Sequence, residues 1–466
     1  MAKSSAIFSV AVATSAAGGG DQDANALPDA SGLTFTSMAT TEASVDAFQA
    51  SELSHEENHG RRSPGETSLA AIGVKNTTGG AKYGAADGEF IRVMYPDSIE
   101  VSSRFRTGKG AAPTDFAFGK WLASGMGLFS PGAATVTQSG AAANKKEITV
   151  SEADAAHLSV GAPLRVRRTG STVDEYSIIT QKGAASGGSV TCKVHPEFTA
   201  ALVDTQAINL CFAFFPVVGS SACASQDMHI RFDMGGAGAD ASVRRLASLA
   251  RCSGFSIAQD NFGTSMTLRA RPACMLQDDA NASTLATAEP PSALLQHRFG
   301  ARVDLAANHK GLSAPISTDR TPDPIPADGL PTFDWSFECA IDCAPGTPNT
   351  RGVLGSNTME IHNATAQVTI TGEADEALQR MIAKDELRTL ILGMGPGGDG
   401  EGAALIVQNA GRADGDANPG SGDDNRIQQQ TTLRAVSDFG GTDTTGLTGA
   451  ALRLATAPFM LALPKV

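Results

Sequence analysis

The chain has 466 residues, 41% of them hydrophobic but only 5% aromatic, with 50 glycines and a formal charge of −13. That is enough apolar content for a core, so the chain as a whole is not disordered, and the thin aromatic content suits a turn-rich β protein. The excess of 49 acidic over 36 basic residues excludes the dense cationic surface that gripping nucleic-acid phosphates requires.

Residues 1–32 are rich in Ala, Gly, Ser and Asp and read as a flexible amino-terminal arm. Lys3 and the apolar stretch Ala6 to Ala13 superficially resemble a signal peptide, but one lysine and a Ser/Thr-interrupted run are a poor match. No run approaches the ~20 apolar residues of a membrane span. Ser54 to Thr67 is polar and ends in a Ser-Pro-Gly turn, which predicts a long loop. From Asp97 to Leu128, Ile99, Val101 and Phe105 alternate with Glu100, Ser102, Arg104 and Arg106, and Pro113-Thr114-Asp115 then opens a short helix with Phe118, Trp121 and Leu122. Period two followed by period 3.6 is the pattern of a sheet backed by a helix. Residues 33–130 are therefore the first half of a core.

Between 131 and 217 come short strands at Glu147–Val150, Pro163–Arg168, Glu175–Gln181, Ser189–Val194 and Ala207–Phe215, separated by glycine turns. Strands this short and evenly spaced predict an inserted small β domain, peripheral enough that its excision leaves the core intact. The core then resumes as a second half, 218–466. Met228–Met234 is a strand, Val243 to Leu249 fits either a helical turn or a strand, and two strands flank a hairpin turn at Gln259 to Gly263. Residues 275–330 read as connection. From Ala364 to Met394 the strand-then-helix unit recurs: Ala366, Val368 and Ile370 alternate with Gln367, Thr369 and Thr371, and Ala374, Ala377, Leu378, Met381 and Ile382 mark one face of a helix. Ala403 to Gln408, Gln429 to Ser437 and Ala451 to Leu463 complete the strands. The fold class expected is mainly β with a few short helices (α+β), a sandwich or barrel with two related halves around an inserted domain.

Several motifs suggest chemistry. His55-Glu56-Glu57-Asn58-His59 matches His-Glu-x-x-His, which binds zinc when a helix puts both imidazoles on one face. Here Gly60 and Ser63-Pro64-Gly65 break any helix, and Glu66, available as a third ligand, is weak support in an acidic chain, so a solvated loop is the better reading. Gly393 to Gly398 matches Gly-x-Gly-x-x-Gly, but Pro396 and the β-patterned Ala403 to Val407 make it a hairpin rather than a dinucleotide loop. Asp414 to Asp424 has spaced carboxylates without the glycine and glutamate of a calcium loop, and reads as an acidic surface loop. His157, His195, His229 and His362 show no spacing that singles out a base. The seven cysteines, Cys192, Cys211, Cys223, Cys252, Cys274, Cys339 and Cys343, contain no Cys-x-x-Cys pair and read as buried thiols in a reducing compartment. No catalytic, cofactor-binding or metal residue is assigned.

One order of phrases stands out: Phe48 to Leu53, containing Ser51-Glu52-Leu53, ahead of a polar stretch with Arg61 and Arg62; the strand and helix of Asp97 to Leu128; the hairpin of Cys252 to Ala270; Met359 to Asn363 leading into Val368 to Gly372; Leu387 to Leu392; and a late strand, Gln428 to Ser437, with Leu433-Arg434-Ala435. In this order and spacing the chain resembles the tail tube proteins (major tail proteins) of long-tailed, siphovirus-type bacteriophages, over two blocks around the 131–217 insertion. The long amino-terminal stretch and the size of the insertion depart from that pattern. The resemblance implies a structural virion protein, not an enzyme, without cofactors. It implies homo-hexameric rings stacked into a tube, the conduit for DNA ejection. Its partners would be further copies of itself and other tail proteins (terminator, tape measure, distal tail); viral DNA would pass through the lumen without specific binding, and no membrane is involved. The expected location is the virion tail, and the bacterial host cytoplasm before assembly. Six copies at −13 would carry −78 per ring, a field that discourages DNA from sticking to the wall. Two other classes compete: a zinc metallohydrolase using His55, Glu56 and His59, and a host-surface-binding tail adhesion protein using the 131–217 domain.

Overall fold

A computed structural model describes residues 7–14, 46–50, 52–62, 91–108, 112–113, 117–168, 174–225, 228–235, 243–260, 263–272, 274–278, 293–295, 302–307, 332–345, 359–373, 379, 387–395, 402–413, 420–421, 427–436 and 442–465. The chain is mostly antiparallel β sheet with a few short helices.

The largest sheet runs, in spatial order, through Glu52–Arg62, Ile91–Arg104, Gly263–Arg271, Val243–Asp260, Thr332–Pro345, Met359–Glu373 and Ile427–Val436. Strict alternation makes it two-faced. Ile99, Val101, Phe255, Ile257, Phe337, Val368 and Leu433 are buried on one side, while Glu100, Ser336, Glu338, Gln367 and Arg434 stand on the other. A second sheet carries Arg302–Ala307, Arg388–Met394, Ala403–Arg412, Phe459–Pro464, Ala207–Pro216 and Met126–Phe129. The two inner faces share one core, in which the Phe337 ring lies 5.2 Å from Phe459 and 5.4 Å from Phe255. Asn409 to Arg412 also pair with Leu433 to Val436, so one strand turns the corner between the sheets. Helix α1, Ala117–Ala123, packs Trp121 and Leu122 into the same core, and the Trp121 Nε1 donates to the Arg269 carbonyl at 2.9 Å.

The Val243 strand is 18 residues long and serves two sheets. Its first half pairs with Met228–Gly235 and Cys274–Asp278, and beyond the first of these lie Ile7–Thr14 and Asp46–Ala50. Its second half belongs to the large sheet. A bulge between Cys252 and Gly254 marks the change.

The 131–217 region closes on itself. Glu147–Ser151, Ser189–His195, Asp174–Lys182, Pro163–Arg167, Ala207–Pro216 and Thr135–Thr137 pair in that order, and the Gln138–Val150 bridge completes the ring. It has its own core, including Ile148, Val166, Ile179, Val190, Phe198 and Ile208. Helix α2, Glu152–Ala155, is capped by Ser151, whose hydroxyl accepts from the Asp154 N–H. The ring is not set apart from the rest, however. Ala207–Pro216 leaves it and continues into the second sheet, and a third apolar cluster joins Tyr176, Ile178 and Phe215 to Ile391, Ile406 and Met460.

Several expectations are corrected. Ser54 to Arg62, read as loop, belongs to the strand Glu52–Arg62; pairing along an edge satisfies the backbone whatever the side chains, so polarity alone misled. Ile7–Thr14, inside the expected arm, is a strand between two others, and the apolar run that resembled a leader supplies its pattern. The supposed connection 275–330 contributes to strands Cys274–Asp278, Ala293–Leu295 and Arg302–Ala307. The last stretch begins with helix α3, Gly449–Ala455, before the strand Phe459–Pro464. Val243 to Leu249 is strand. The helix expected over Ala374 to Ile382 lies outside the described residues except for Gln379.

Candidate functional site

The His-Glu-x-x-His match sits on the Glu52–Arg62 strand, with His55 opposite Ile99 and His59 opposite Met94. Positions four apart on a strand lie about 13–14 Å from each other, against roughly 6 Å on a helix, while a zinc ion needs both imidazoles within about 2 Å of itself. This backbone lacks the helical turn that gives the motif its meaning. Among the described residues, no three His, Cys, Asp or Glu side chains converge as a metal site. Gly393 and Met394 end a strand whose Met394 pairs antiparallel with Ala403, the start of the next described strand, and Pro396 to Gly398 lie outside the described residues. Of the acidic stretch 414–424 only Gly420–Ser421 is described, paired with Ile427 and Gln428.

Of the six cysteines whose side chains are described, five are buried. Burial pushes the Cys192 thiol up to about 11 and those of Cys211 and Cys252 up to about 12. A thiol held neutral is a poor nucleophile, so these groups act as small apolar core residues. His195 Nε2 lies 2.9 Å from the Thr389 hydroxyl, which itself donates to the Gln408 carbonyl, tying the 131–217 ring to the second sheet. Beside that contact Arg165, fully buried, and Arg167 flank Asp174, with Arg167 Nε 3.2 Å from its carboxylate. Burial and the Asp174 charge raise the Tyr176 hydroxyl well above its ordinary pKa.

The feature with functional reach is the outward face of the large sheet. Arg269 stands opposite Glu100 on one neighbouring strand and opposite Gly254 on the other. Its Nε donates to Glu100 at 2.9 Å, and its Nη1 reaches Glu338 at 2.8 Å, two strands away. Two strands span roughly 9.6 Å, so the guanidinium crosses the intervening strand, whose residue paired with Arg269 is a glycine. Gly254 has φ +152°, and any Cβ would run into the Cys339 carbonyl oxygen. The Gln367 side-chain amide donates to Glu338 at 3.5 Å, and Arg434 is the cross-strand partner of Gln367. Burial lowers the Arg269 pKa, but the bonds to Glu100 and Glu338 outweigh it and the net shift is upward. On the same face Ser102 and Thr267 share a hydrogen bond of 2.8 Å, and Thr369 and Thr432 one of 3.2 Å. The face thus carries paired charges of both signs beside hydroxyl contacts.

The sequence flagged Glu100, Arg104, Gln367, Thr369 and Thr371 as outward, and they are. Arg269 and Glu338 were missed. The alternation Met266, Leu268, Ala270 against Thr267, Arg269, Arg271 marked the face, but nothing in it names a partner 69 positions away. The chain matches no protein-family model and no curated protein.

Proposed function

We propose that the chain is a structural subunit of a phage-type tail tube, assembling as homo-hexameric rings that stack around a channel for DNA. One observation carries this: a broad antiparallel sheet whose polar outer face is laced by Arg269, Glu100, Glu338 and neutral hydroxyls, backed by a continuous apolar core. A sheet with one polar face can close into a water-filled wall while its other face packs outward. Among the described pairings, Glu52–Arg62 and Arg302–Ala307 each bond to a neighbour on one side only, which leaves backbone available for joining copies edge to edge. In this reading the stretches Asp97 to Leu128 and Ala364 to Met394, patterned alike in the sequence, belong to two related halves, and the 131–217 ring lies on the outside of the tube. Assembly places the chain in the virion tail. No helix of the described residues is long and apolar enough to cross a membrane.

Negative-stain microscopy of the purified chain is the test. Rings or tubes with a hole about 20–40 Å wide, the room that a B-form duplex needs, are expected. Filaments with a solid core would refute the reading.

A further inference from the structure

A conduit wall has an adhesion problem with two sides. Free guanidinium groups bind phosphate directly. Free carboxylates collect divalent cations, and a cation held by a carboxylate can bridge to a phosphate. Net charge alone does not cure this, because the bridge forms locally.

We propose that Arg269 is the positioning residue that makes the polar face non-adhesive, by engaging Glu100 and Glu338 so that neither the guanidinium nor the two carboxylates is open to a passing polyanion or its counterions. The proposal rests on the reading of this face as the wall of a DNA channel. The geometry supports it in three ways. Separate nitrogens of one guanidinium serve the two acids, at 2.9 and 2.8 Å. The strand that the guanidinium crosses has Gly254, with no side chain, at the position paired with Arg269. Finally, the side chains remain 30%, 42% and 45% exposed for Arg269, Glu100 and Glu338, so breaking the triplet would present its charges to solvent rather than bury them.

The two kinds of adhesion can be produced separately. Glu100→Gln with Glu338→Gln frees the guanidinium, and Arg269→Gln frees both carboxylates. Each chain, its fold checked by circular dichroism and thermal melting, would be sedimented with a short fluorescent duplex DNA, with and without Mg²⁺. The wild-type chain is expected to retain little DNA in either condition. The double glutamine variant should retain several-fold more without Mg²⁺ and release it as NaCl rises. The Arg269→Gln variant should retain more only with Mg²⁺ and release it on chelation. Equal retention by all three chains would overturn the role given to Arg269, as would a gain in Arg269→Gln that ignores Mg²⁺. Microscopy of the same samples keeps the underlying reading separate. Failure of the wild-type chain to form rings or tubes would count against the channel, whereas the retention pattern reports on the triplet alone.

Discussion

At the scale of single residues, Gly254 has the most exacting position. Its backbone occupies a region that L side chains rarely adopt, and the bulge beside it lets the Val243 strand pass from one sheet to another. Gly254→Ala combines backbone strain with a collision against the Cys339 carbonyl. It should lower stability by about 1–3 kcal/mol, read as a fall in the urea midpoint at unchanged slope. The buried thiols predict a pH dependence. Cys252 is pushed up to about 12 from an ordinary 9.0 by burial, so on raising the pH the unfolded chain ionises first. Its contribution is fully present below pH 9 and is lost as the pH climbs from there toward the folded value. The stability difference between the wild-type chain and Cys252→Ala should therefore shrink by about 1 kcal/mol between pH 8 and pH 10. A constant difference across that range would show that the thiol ionises equally easily in both states.

At the scale of elements, strands with strict alternation were legible because burial on one face writes itself into every second residue. Ile99 and Val101, Phe255 and Ile257, and Val368 and Ile370 all announced their faces, and helix α1 was visible through Phe118, Trp121 and Leu122. The Glu52–Arg62 strand was not legible, because its His-Glu-Glu-Asn-His sequence gives no apolar period and its order comes from pairing with Ile91–Arg104. Arg302–Ala307 was hidden among prolines and alanines for a similar reason: its partner, Arg388–Met394, lies far along the chain. The candidate site divides in the same way. The outward face was readable from alternation, whereas the Arg269–Glu338 pair depends on a register that local sequence does not encode. Helix α1 gives this scale its prediction. Trp121 is wholly buried and anchors the helix to the sheet through its indole N–H. Trp121→Ala should cost about 3–5 kcal/mol, and Trp121→Phe, which keeps most of the packing but loses the bond to the Arg269 carbonyl, markedly less. Thermal unfolding of the two variants would give that order, and equal losses would show that the hydrogen bond rather than the packing holds the helix.

For the whole molecule, the central question is whether residues 131–217 are an appendage. A closed ring of short strands with its own core looks separable. The seam says otherwise. Ala207–Pro216 pairs with Pro163–Arg167 inside the ring, then with Met126–Phe129 and Phe459–Pro464 outside it, so a single strand belongs to both. Gly161, at φ +85°, brings its backbone so close to helix α3 that an added Cβ would lie 2.5 Å from the Ala455 Cα. The Asp443 N–H donates to the Thr180 carbonyl at 2.8 Å, and Lys465 Nζ to the Pro131 carbonyl at 2.7 Å. Cutting out 131–217 would remove the central strand of this arrangement and bare Ile391, Ile406, Met460 and Ala462 to water. At roughly 1.5–3 kcal/mol for each large apolar side chain, that exposure rivals the whole stability of an ordinary domain. The excised chain should therefore accumulate as insoluble protein. A milder probe is Gly161→Ala, which should loosen the seam while leaving both cores packed, giving earlier proteolysis at the seam before any change in the main thermal transition. A soluble, cooperatively folding chain lacking 131–217 would show that the ring is an appendage after all, and that the third apolar cluster contributes little to the fold.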